Sequence, residues 1–63
     1  MSGKYTLAQL RAGMHWTQKE TANALGVSTN SWYKWETGQS FPTQPNVDKI
    51  LNEFNVKYDD VIF

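Results

Sequence analysis

The sequence predicts an all-α protein, a compact bundle of four to five short helices. Helix starts and stops recur at short intervals along its 63 residues, and no stretch alternates apolar and polar residues for long enough to predict a strand. Three Trp, three Tyr and three Phe supply large buried areas from few residues, which suits a small helical core. Because Cys is absent, packing or a partner subunit must supply the stability that disulfides would otherwise give.

The first helix is expected over residues 6–12, where Leu7 and Leu10 share an apolar face. Gly13 follows at the place where a left-handed glycine commonly closes a helix. The sequence therefore predicts Gly13 as the left-handed residue that closes this helix.

The second and third helices follow each other closely. In the segment TQKE, the side chains of Thr17 and Glu20 can each cap the other's backbone N–H group, which is a fairly specific helix start. That helix should stop near Gly26, and Ser28 is a good cap for the next, which Gly38 ends. Two helices joined by a turn of about three residues have the spacing of a helix-turn-helix.

A fourth helix is expected to begin at Thr43 or Gln44, with Pro45 in its first turn and Asn55 as its left-handed terminator. Its apolar stripe has the spacing i, i+3, i+4, i+7 and consists of Val47, Ile50, Leu51 and Phe54. Apolar residues at the C-terminus then predict a short final helical turn.

The two tryptophans of the third helix indicate which of its faces is buried. On a helix over residues 28–37, Trp32 and Trp35 lie about 60° apart and belong to the core. The opposite face consists of Asn30, Tyr33, Lys34 and Thr37. On an isolated helix such a face is most simply solvated, but in a helix-turn-helix it faces the DNA major groove, where Asn can bond to adenine and Thr to a base or a thymine methyl.

Four segments together resemble the Cro/repressor-type, or lambda repressor-like, helix-turn-helix family of phage and bacterial DNA-binding regulators. They are LAQLRAG, WTQKETANALGVS, WYKWETG and FNVKYDDVI, and the resemblance runs from about Leu7 to Ile62. It implies a single DNA-binding domain over residues 1–63, with the helix-turn-helix at about 17–37 and its recognition helix at about 28–37. The alternative is that the chain is one domain cut from a longer repressor.

The resemblance implies which residues contact DNA. Base contacts are expected from Thr29, Asn30, Tyr33 and Lys34, and phosphate contacts from Thr17, Gln18, Ser28, Thr37, Gln39 and Ser40. Lys34 can contact a guanine or a phosphate, and Tyr33 the sugar-phosphate backbone or a thymine methyl. Thr17 and Gln18 can instead serve only as caps. The loop GQSF has no Lys or Arg, so its phosphate contacts must come from Gln39, Ser40 and backbone N–H groups.

The same resemblance implies a structural role for two charged residues. Arg11 and Glu36 match a pair that forms an internal salt bridge between the first and third helices of this family. Arg11 is therefore expected to stabilise the fold rather than to contact DNA.

Other functional classes find little support in the sequence. His15 has no second His, Cys or suitably spaced carboxylate for a metal site, and Asp59 with Asp60 has no third catalytic group. No catalytic residues, enzyme activity or cofactor are therefore expected, and no apolar run is long enough to cross a membrane. A bacterial cytoplasm follows from the resemblance alone. The formal net charge is zero, but residues 1–36 hold four basic and two acidic residues whereas 37–63 hold two and four, which hints that the N-terminal half meets an anion.

The expected partner is a double-stranded DNA operator, palindromic if the protein binds as a homodimer. Apolar residues that can form a dimer contact, or else complete the core of the monomer, are Val56, Tyr58, Ile62 and Phe63. The rival hypothesis is a protein-binding module, an antirepressor or antitoxin-like partner of another regulator or toxin. Tyr33 and Phe41 would then be its aromatic anchors.

Overall fold

The computed structural model describes residues 3–63, which form four α-helices joined by short connections. The elements in chain order are strand β1 (Tyr5–Thr6), helices α1 (Leu7–Gly13), α2 (Gln18–Leu25), α3 (Thr29–Glu36) and α4 (Gln44–Phe54), a 3-10 turn (Tyr58–Asp60) and strand β2 (Val61–Ile62). The predicted helical bundle with a central helix-turn-helix is confirmed, and the two short strands are a minor addition to it.

The helices begin at capping residues. The Thr17 hydroxyl oxygen accepts the backbone N–H of Glu20 at 3.1 Å, and the Glu20 carboxylate accepts the N–H of Thr17 at 2.7 Å, as the sequence predicts. Ser28 caps α3 through its side-chain oxygen. A second reciprocal box, between Thr6 and Gln9, begins α1 and was not predicted. Each box satisfies backbone N–H groups that a helix start leaves without a partner.

All four α-helices end in the same hydrogen-bonded motif, in which a left-handed residue closes the helix. In this motif the left-handed residue donates its backbone N–H to the carbonyl three positions before it. The next residue donates its N–H to the carbonyl five positions before itself. The left-handed residues are His15 (φ 59°), Gly26 (71°), Gly38 (79°) and Asn55 (53°). Gly26, Gly38 and Asn55 terminate their helices as predicted.

The prediction for Gly13 is wrong, because Gly13 is the last residue of α1 and His15 takes the left-handed conformation. The Trp16 N–H bonds to the Arg11 carbonyl at 3.3 Å, which closes α1 two residues later than expected. Trp16 also stacks at a tilt on Phe54 of α4, with 6.1 Å between ring centroids. Packing of the tryptophan therefore goes together with this later helix end.

The core lies where α2 and α3 pack against each other and against α1 and α4. Its buried residues are Leu7, Ala22, Leu25, Trp32, Trp35, Ile50 and Val61. Trp32 has no exposed surface and meets Trp35 edge to face, with ring centroids 6.2 Å apart. Thr21 is fully buried too, and its hydroxyl donates to the Thr17 carbonyl at 3.0 Å. Both tryptophans are thus core residues, as the helical spacing predicts.

A two-stranded parallel sheet joins the start of the described chain to its end. The register pairs Tyr5 with Val61 and Thr6 with Ile62. Just before the sheet, Gly3 donates its N–H to the Asp59 carbonyl at 2.7 Å and Lys4 donates to Asp60 at 2.8 Å. The expected final helical turn is therefore a 3-10 turn followed by a strand.

Candidate nucleic-acid interface

Helix α3 presents to solvent the four side chains predicted to contact bases. These exposed residues are Thr29, Asn30, Tyr33 and Lys34. Asn30, Tyr33 and Lys34 are spaced i, i+3, i+4, so they form one continuous face. Tyr33 keeps 44% of its surface exposed, whereas the other side of the helix is buried through Trp32 and Trp35.

The first turn of α3 is held by its own serines. Ser28 accepts the backbone N–H of Ser31 at 3.0 Å, and the two hydroxyl groups lie 2.9 Å apart. The Ser28 hydroxyl therefore already has hydrogen-bond partners within the protein, whereas the side chains of Thr29 and Asn30 are exposed to solvent beside it. Polar side chains in the first turn of such a helix are the ones that can reach base edges.

The N-terminus of α2 combines free backbone donors with two polar side chains. The Thr17 cap serves the amide of Glu20 and leaves the amides of Gln18 and Lys19 without an intrahelical acceptor. A helix N-terminus of this kind favours an anion, and the exposed Lys19 adds positive charge. The Gln18 side chain donates from Nε2 to Glu36 at 3.3 Å, which fixes its direction.

The loop after α3 is more self-contained than the sequence suggested. Thr37 donates its hydroxyl to the Tyr33 carbonyl at 2.8 Å and accepts from Gln39 Nε2 at 3.1 Å. The backbone N–H groups of Gln39 and Ser40 both bond to the Lys34 carbonyl, at 2.8 and 3.3 Å. These two amides therefore already have an acceptor within the protein, because they close α3. The side chains of Gln39 and Ser40 remain exposed.

Behind this surface, one carboxylate links three helices. Arg11 donates to Glu36 through Nε at 2.9 Å and through Nη2 at 3.0 Å, so the ion pair implied by the resemblance is present and bidentate. Trp32 Nε1 donates to the same carboxylate at 2.6 Å, and Gln18 supplies a further bond. We call these four residues the Glu36 network. It joins α1 and the first turn of α2 to α3.

The charges in the Glu36 network stabilise each other. Burial alone raises the pKa of Glu36, whose side chain is 8% exposed. Hydrogen bonds from Arg11, Gln18 and Trp32, with the charge of Arg11, outweigh this effect and hold the pKa of Glu36 below its usual value. The hydrogen bond to Glu36 in turn raises the pKa of the Arg11 guanidinium. Both groups are therefore ionised at neutral pH.

This geometry is typical of a known protein family. The family model described as a helix-turn-helix domain matches residues 5–62. The chain belongs to this family. Membership agrees with the Cro/repressor-type resemblance, and it covers both the α2–α3 unit and the elements that hold it.

Three curated proteins similar to this chain are a repressor, an activator and an antitoxin. The chain is 33% identical over 97% of its length to the cryptic phage CTXphi transcriptional repressor RstR of Vibrio cholerae. It is 36% identical over 89% to the transcriptional activator BcrR of Enterococcus faecalis, and 37% over 98% to the antitoxin PezA of Streptococcus pneumoniae. The chain spans only 54, 28 and 39% of these proteins, respectively. No solved structure matches the chain significantly.

Two features of the site were not predicted. The Trp32 indole N–H and the Gln18 amide both serve Glu36, and only the spatial arrangement of three helices reveals this. Phe41 packs on Phe63 with ring centroids 5.8 Å apart, and Tyr58 lies 5.5 Å from the same ring. Spacing in the sequence cannot bring these distant aromatic residues together.

The remaining predicted residues divide by exposure. Val56 and Phe63 are half-buried and pack against the core, whereas Tyr58 and Ile62 are exposed.

His15 is exposed, and within residues 3–63 no group of His, Asp and Glu is arranged to hold a metal ion. None of the described helices is both long and apolar enough to pass through a bilayer.

Proposed function

We propose that this helix-turn-helix domain is a sequence-specific regulator of transcription that reads double-stranded DNA through the major groove with residues 28–37. The observation that carries the proposal is the exposed face of α3, where Asn30, Tyr33 and Lys34 stand opposite two buried tryptophans. Asn30 and Thr29 contact base edges, and Lys34 contacts a guanine or a phosphate. The N-terminus of α2, with Thr17 and Gln18, binds a phosphate.

The finer proposal is a repressor of the phage and bacterial Cro type. The similarity to a phage repressor supports it, whereas the similarity to the transcriptional activator BcrR supports activation as the alternative direction of control. The operator is a palindrome bound by two copies, each covering one half-site. The protein acts in a bacterial cytoplasm without catalysis or a cofactor.

The first experiment is selection of bound duplexes from a random library, followed by anisotropy titration of the enriched duplex. Asn30→Ala is expected to relax the base preference at one position of each half-site, by about 1–3 kcal/mol of discrimination. Lys34→Ala is expected to weaken binding. The matched controls are Asn52→Ala and Lys49→Ala, which remove the same groups from exposed positions on α4.

A second candidate function is a protein-binding module, antirepressor or antitoxin-like. It is favoured by the exposed aromatic residues Tyr33 and Phe41, 44 and 68% exposed, and by the similarity to an antitoxin. The selection experiment separates the two functions. Failure to enrich any sequence, or binding that ignores both Asn30→Ala and Lys34→Ala, would favour the protein-binding module.

A further inference from the structure

Gln18 connects the first turn of α2 to α3. Its Nε2 atom donates to Oε1 of Glu36 at 3.3 Å, and within residues 3–63 this is the one hydrogen bond between side chains of the two helices. Gln18 is half-buried, so the bond restrains a side chain that also meets solvent. Because α2 carries the proposed phosphate contact and α3 the proposed base contacts, this bond joins the two parts of the proposed interface.

The carboxylate of Glu36 is fully occupied by donors. Nε and Nη2 of Arg11 bond to its two oxygens at 2.9 and 3.0 Å, Nε1 of Trp32 bonds at 2.6 Å, and Gln18 supplies the fourth bond. An ionised carboxylate offers about four acceptor positions and no donor. Only the nitrogen of the Gln18 amide can therefore face it, because the amide oxygen would lie against a negatively charged oxygen.

The same nitrogen keeps one donor for a ligand. Nε2 of Gln18 carries two hydrogens, of which Glu36 takes one, and the second has no acceptor in the part of the chain that the structure describes. An ionised DNA phosphate only accepts hydrogen bonds, so it can use this second N–H. Because a glutamine side chain loses rotational freedom when it binds, one that the protein already holds binds at a smaller entropic cost.

Arg11 makes this arrangement compatible with DNA. Glu36 by itself would repel a phosphate, but the Arg11 guanidinium balances its charge through the bidentate pair. Arg11 also donates from Nη1 to the carbonyl of Trp16 at 3.0 Å, one residue before the cap of α2. The ion pair therefore holds the start of α2 through the backbone on one side of Thr17 and through the side chain of Gln18 on the other.

We infer that Glu36 is a positioning residue for DNA binding, which holds the Gln18 amide so that Nε2 donates to a DNA phosphate. This role rests on the proposed function, because it concerns a contact with DNA. Glu36 does not itself touch DNA in this arrangement, since its side chain is 8% exposed and its acceptor positions are filled. Positioning of Gln18 is distinct from the contribution of Glu36 to stability and can be measured separately.

The test examines the phosphates of the selected duplex one at a time. Each phosphate is replaced in turn by an uncharged methylphosphonate, and anisotropy titration gives the loss of affinity for each replacement. Gln18→Ala identifies the phosphate that Gln18 contacts, because the loss at that position should be smaller for this variant than for the parent protein. Glu36→Gln is the test variant, since it keeps the shape of the side chain but replaces one acceptor oxygen by a donor nitrogen.

Two controls separate positioning from charge and from stability. Glu36→Gln removes a negative charge, which strengthens binding to DNA in general, and Glu53→Gln makes the same change at an exposed position on α4. Glu36→Gln also weakens the fold, and Ile50→Val weakens it in the buried core without removing a hydrogen bond of the Glu36 network. All titrations are made at a temperature at which circular dichroism shows every variant to be folded.

Replacement of the phosphate bound by Gln18 is expected to weaken binding of the parent protein on the order of tenfold, but binding of Gln18→Ala and Glu36→Gln by no more than about twofold. Losses at the other phosphates should remain those of the parent protein. The base preference should also be retained, because phosphate contacts carry no sequence information directly. Glu53→Gln and Ile50→Val should show the parent's loss at every phosphate.

A second measurement examines the Gln18 side chain without DNA. In nitrogen-edited NMR spectra, the two Nε2 protons of Gln18 should resonate away from those of an unstructured glutamine, because one of them bonds to a carboxylate. Glu36→Gln should move these resonances towards the unstructured position, and Glu53→Gln should leave them in place. Gln18 resonances that are the same in the parent protein and in Glu36→Gln would overturn the inference.

The duplex measurements distinguish failure of this role from failure of the proposed function. If Glu36→Gln keeps the full loss at the phosphate of Gln18, or if Ile50→Val removes that loss as well, the positioning role is overturned. It is also overturned if a duplex is enriched but Gln18→Ala shows the parent's loss at every phosphate, and in all these cases DNA binding stands. If no duplex is enriched, the proposed function fails and the role of Glu36 in DNA binding fails with it.

Discussion

Glu36 concentrates more of the tertiary hydrogen bonding than any other described side chain, because donors from three helices meet at its two oxygens. Glu36→Ala leaves Arg11, Gln18 and Trp32 without their acceptor. We expect the free energy of unfolding to fall by about 2–3 kcal/mol. This is less than for breaking a fully buried ion pair, because the Arg11 side chain is 24% exposed. Urea unfolding measures it, with the exposed Glu53→Ala on α4 as control; a loss of a few tenths would contradict the role of the network.

The lowered pKa of Glu36 also predicts how stability depends on pH. A carboxylate with a lower pKa in the folded state stabilises the protein fully above its unfolded pKa, near the usual 4.5, and this contribution disappears as pH falls through the folded pKa. Glu36→Gln cannot titrate. The stability difference between the parent protein and Glu36→Gln should therefore be constant from pH 7 to about 4.5 and shrink below that. A difference that stays constant down to pH 3 would refute the coupling.

His15 is the one left-handed helix terminator in residues 3–63 that is neither Gly nor Asn. A non-glycine residue with a positive φ is strained by roughly 1–2 kcal/mol. Replacing it with glycine removes this strain, but the greater freedom of glycine in the unfolded state offsets part of the gain. His15→Gly should therefore stabilise the protein by about 0.5–1 kcal/mol. Gly26→Ala should destabilise it by about 1 kcal/mol for the same reason, since no atom lies within 4 Å of the added Cβ. Thermal melts test both, and equal melts for His15→Gly and His15→Ala would exclude a backbone cause.

Residue roles were predictable where they depend on one element or on the family resemblance. The burial of Trp32 and Trp35 follows from helical spacing, and the Arg11–Glu36 pair follows from the resemblance. The indole donor on Glu36 was not predictable, because it depends on the direction of a side chain inside a packed core. The contact of Phe41 with Phe63 depends on how a long connection folds back, which no local pattern encodes.

At the scale of elements, local chemistry predicted most helix ends. Thr17 with Glu20, Gly26, Ser28 and Asn55 each act where the sequence places them. Gly13 does not, because it is still part of α1, and the motif that closes the helix includes Trp16, which bonds back to Arg11 and packs on α4. The strands were missed because two residues cannot show an alternating pattern, and their pairing is non-local.

The backbone hydrogen bonds next to that short sheet, which join the two ends of the described chain, yield a prediction. Gly3 has φ of 86°, and an added Cβ would clash with Cγ1 of Ile62. Gly3→Ala should therefore disrupt the bonds to the 3-10 turn and destabilise the protein by about 1–2 kcal/mol. Gly13→Ala is the matched control, because its Cβ meets nothing within 4 Å on a helix, and it should instead stabilise by up to about 1 kcal/mol. Loss of amide protection at residues 61–62 would locate the first effect, and unchanged exchange there would contradict it.

For the whole molecule, the distribution of charge limits how the proposed contacts with DNA can be made. Arg11 is paired with Glu36, and the loop after α3 has no Lys or Arg, so Lys19 and Lys34 are the basic residues that the helix-turn-helix itself supplies to the proposed contacts. Two phosphate neutralisations per copy give a slope of log affinity against log salt of about −2. Affinity should therefore fall only about tenfold per copy between about 50 and 200 mM salt.

The same reasoning separates the roles of two residues on α3. Lys34→Ala should reduce the magnitude of the salt slope by about 1 per copy, since it removes one cation from the proposed DNA contacts. Asn30→Ala should leave the slope unchanged while relaxing base preference, because a neutral amide releases no counterion. Anisotropy titrations at four salt concentrations on the selected duplex and on a scrambled duplex measure both quantities. A parent slope steeper than about −5 per copy would mean that cations elsewhere on the chain contact DNA. An unchanged slope for Lys34→Ala would remove Lys34 from the interface.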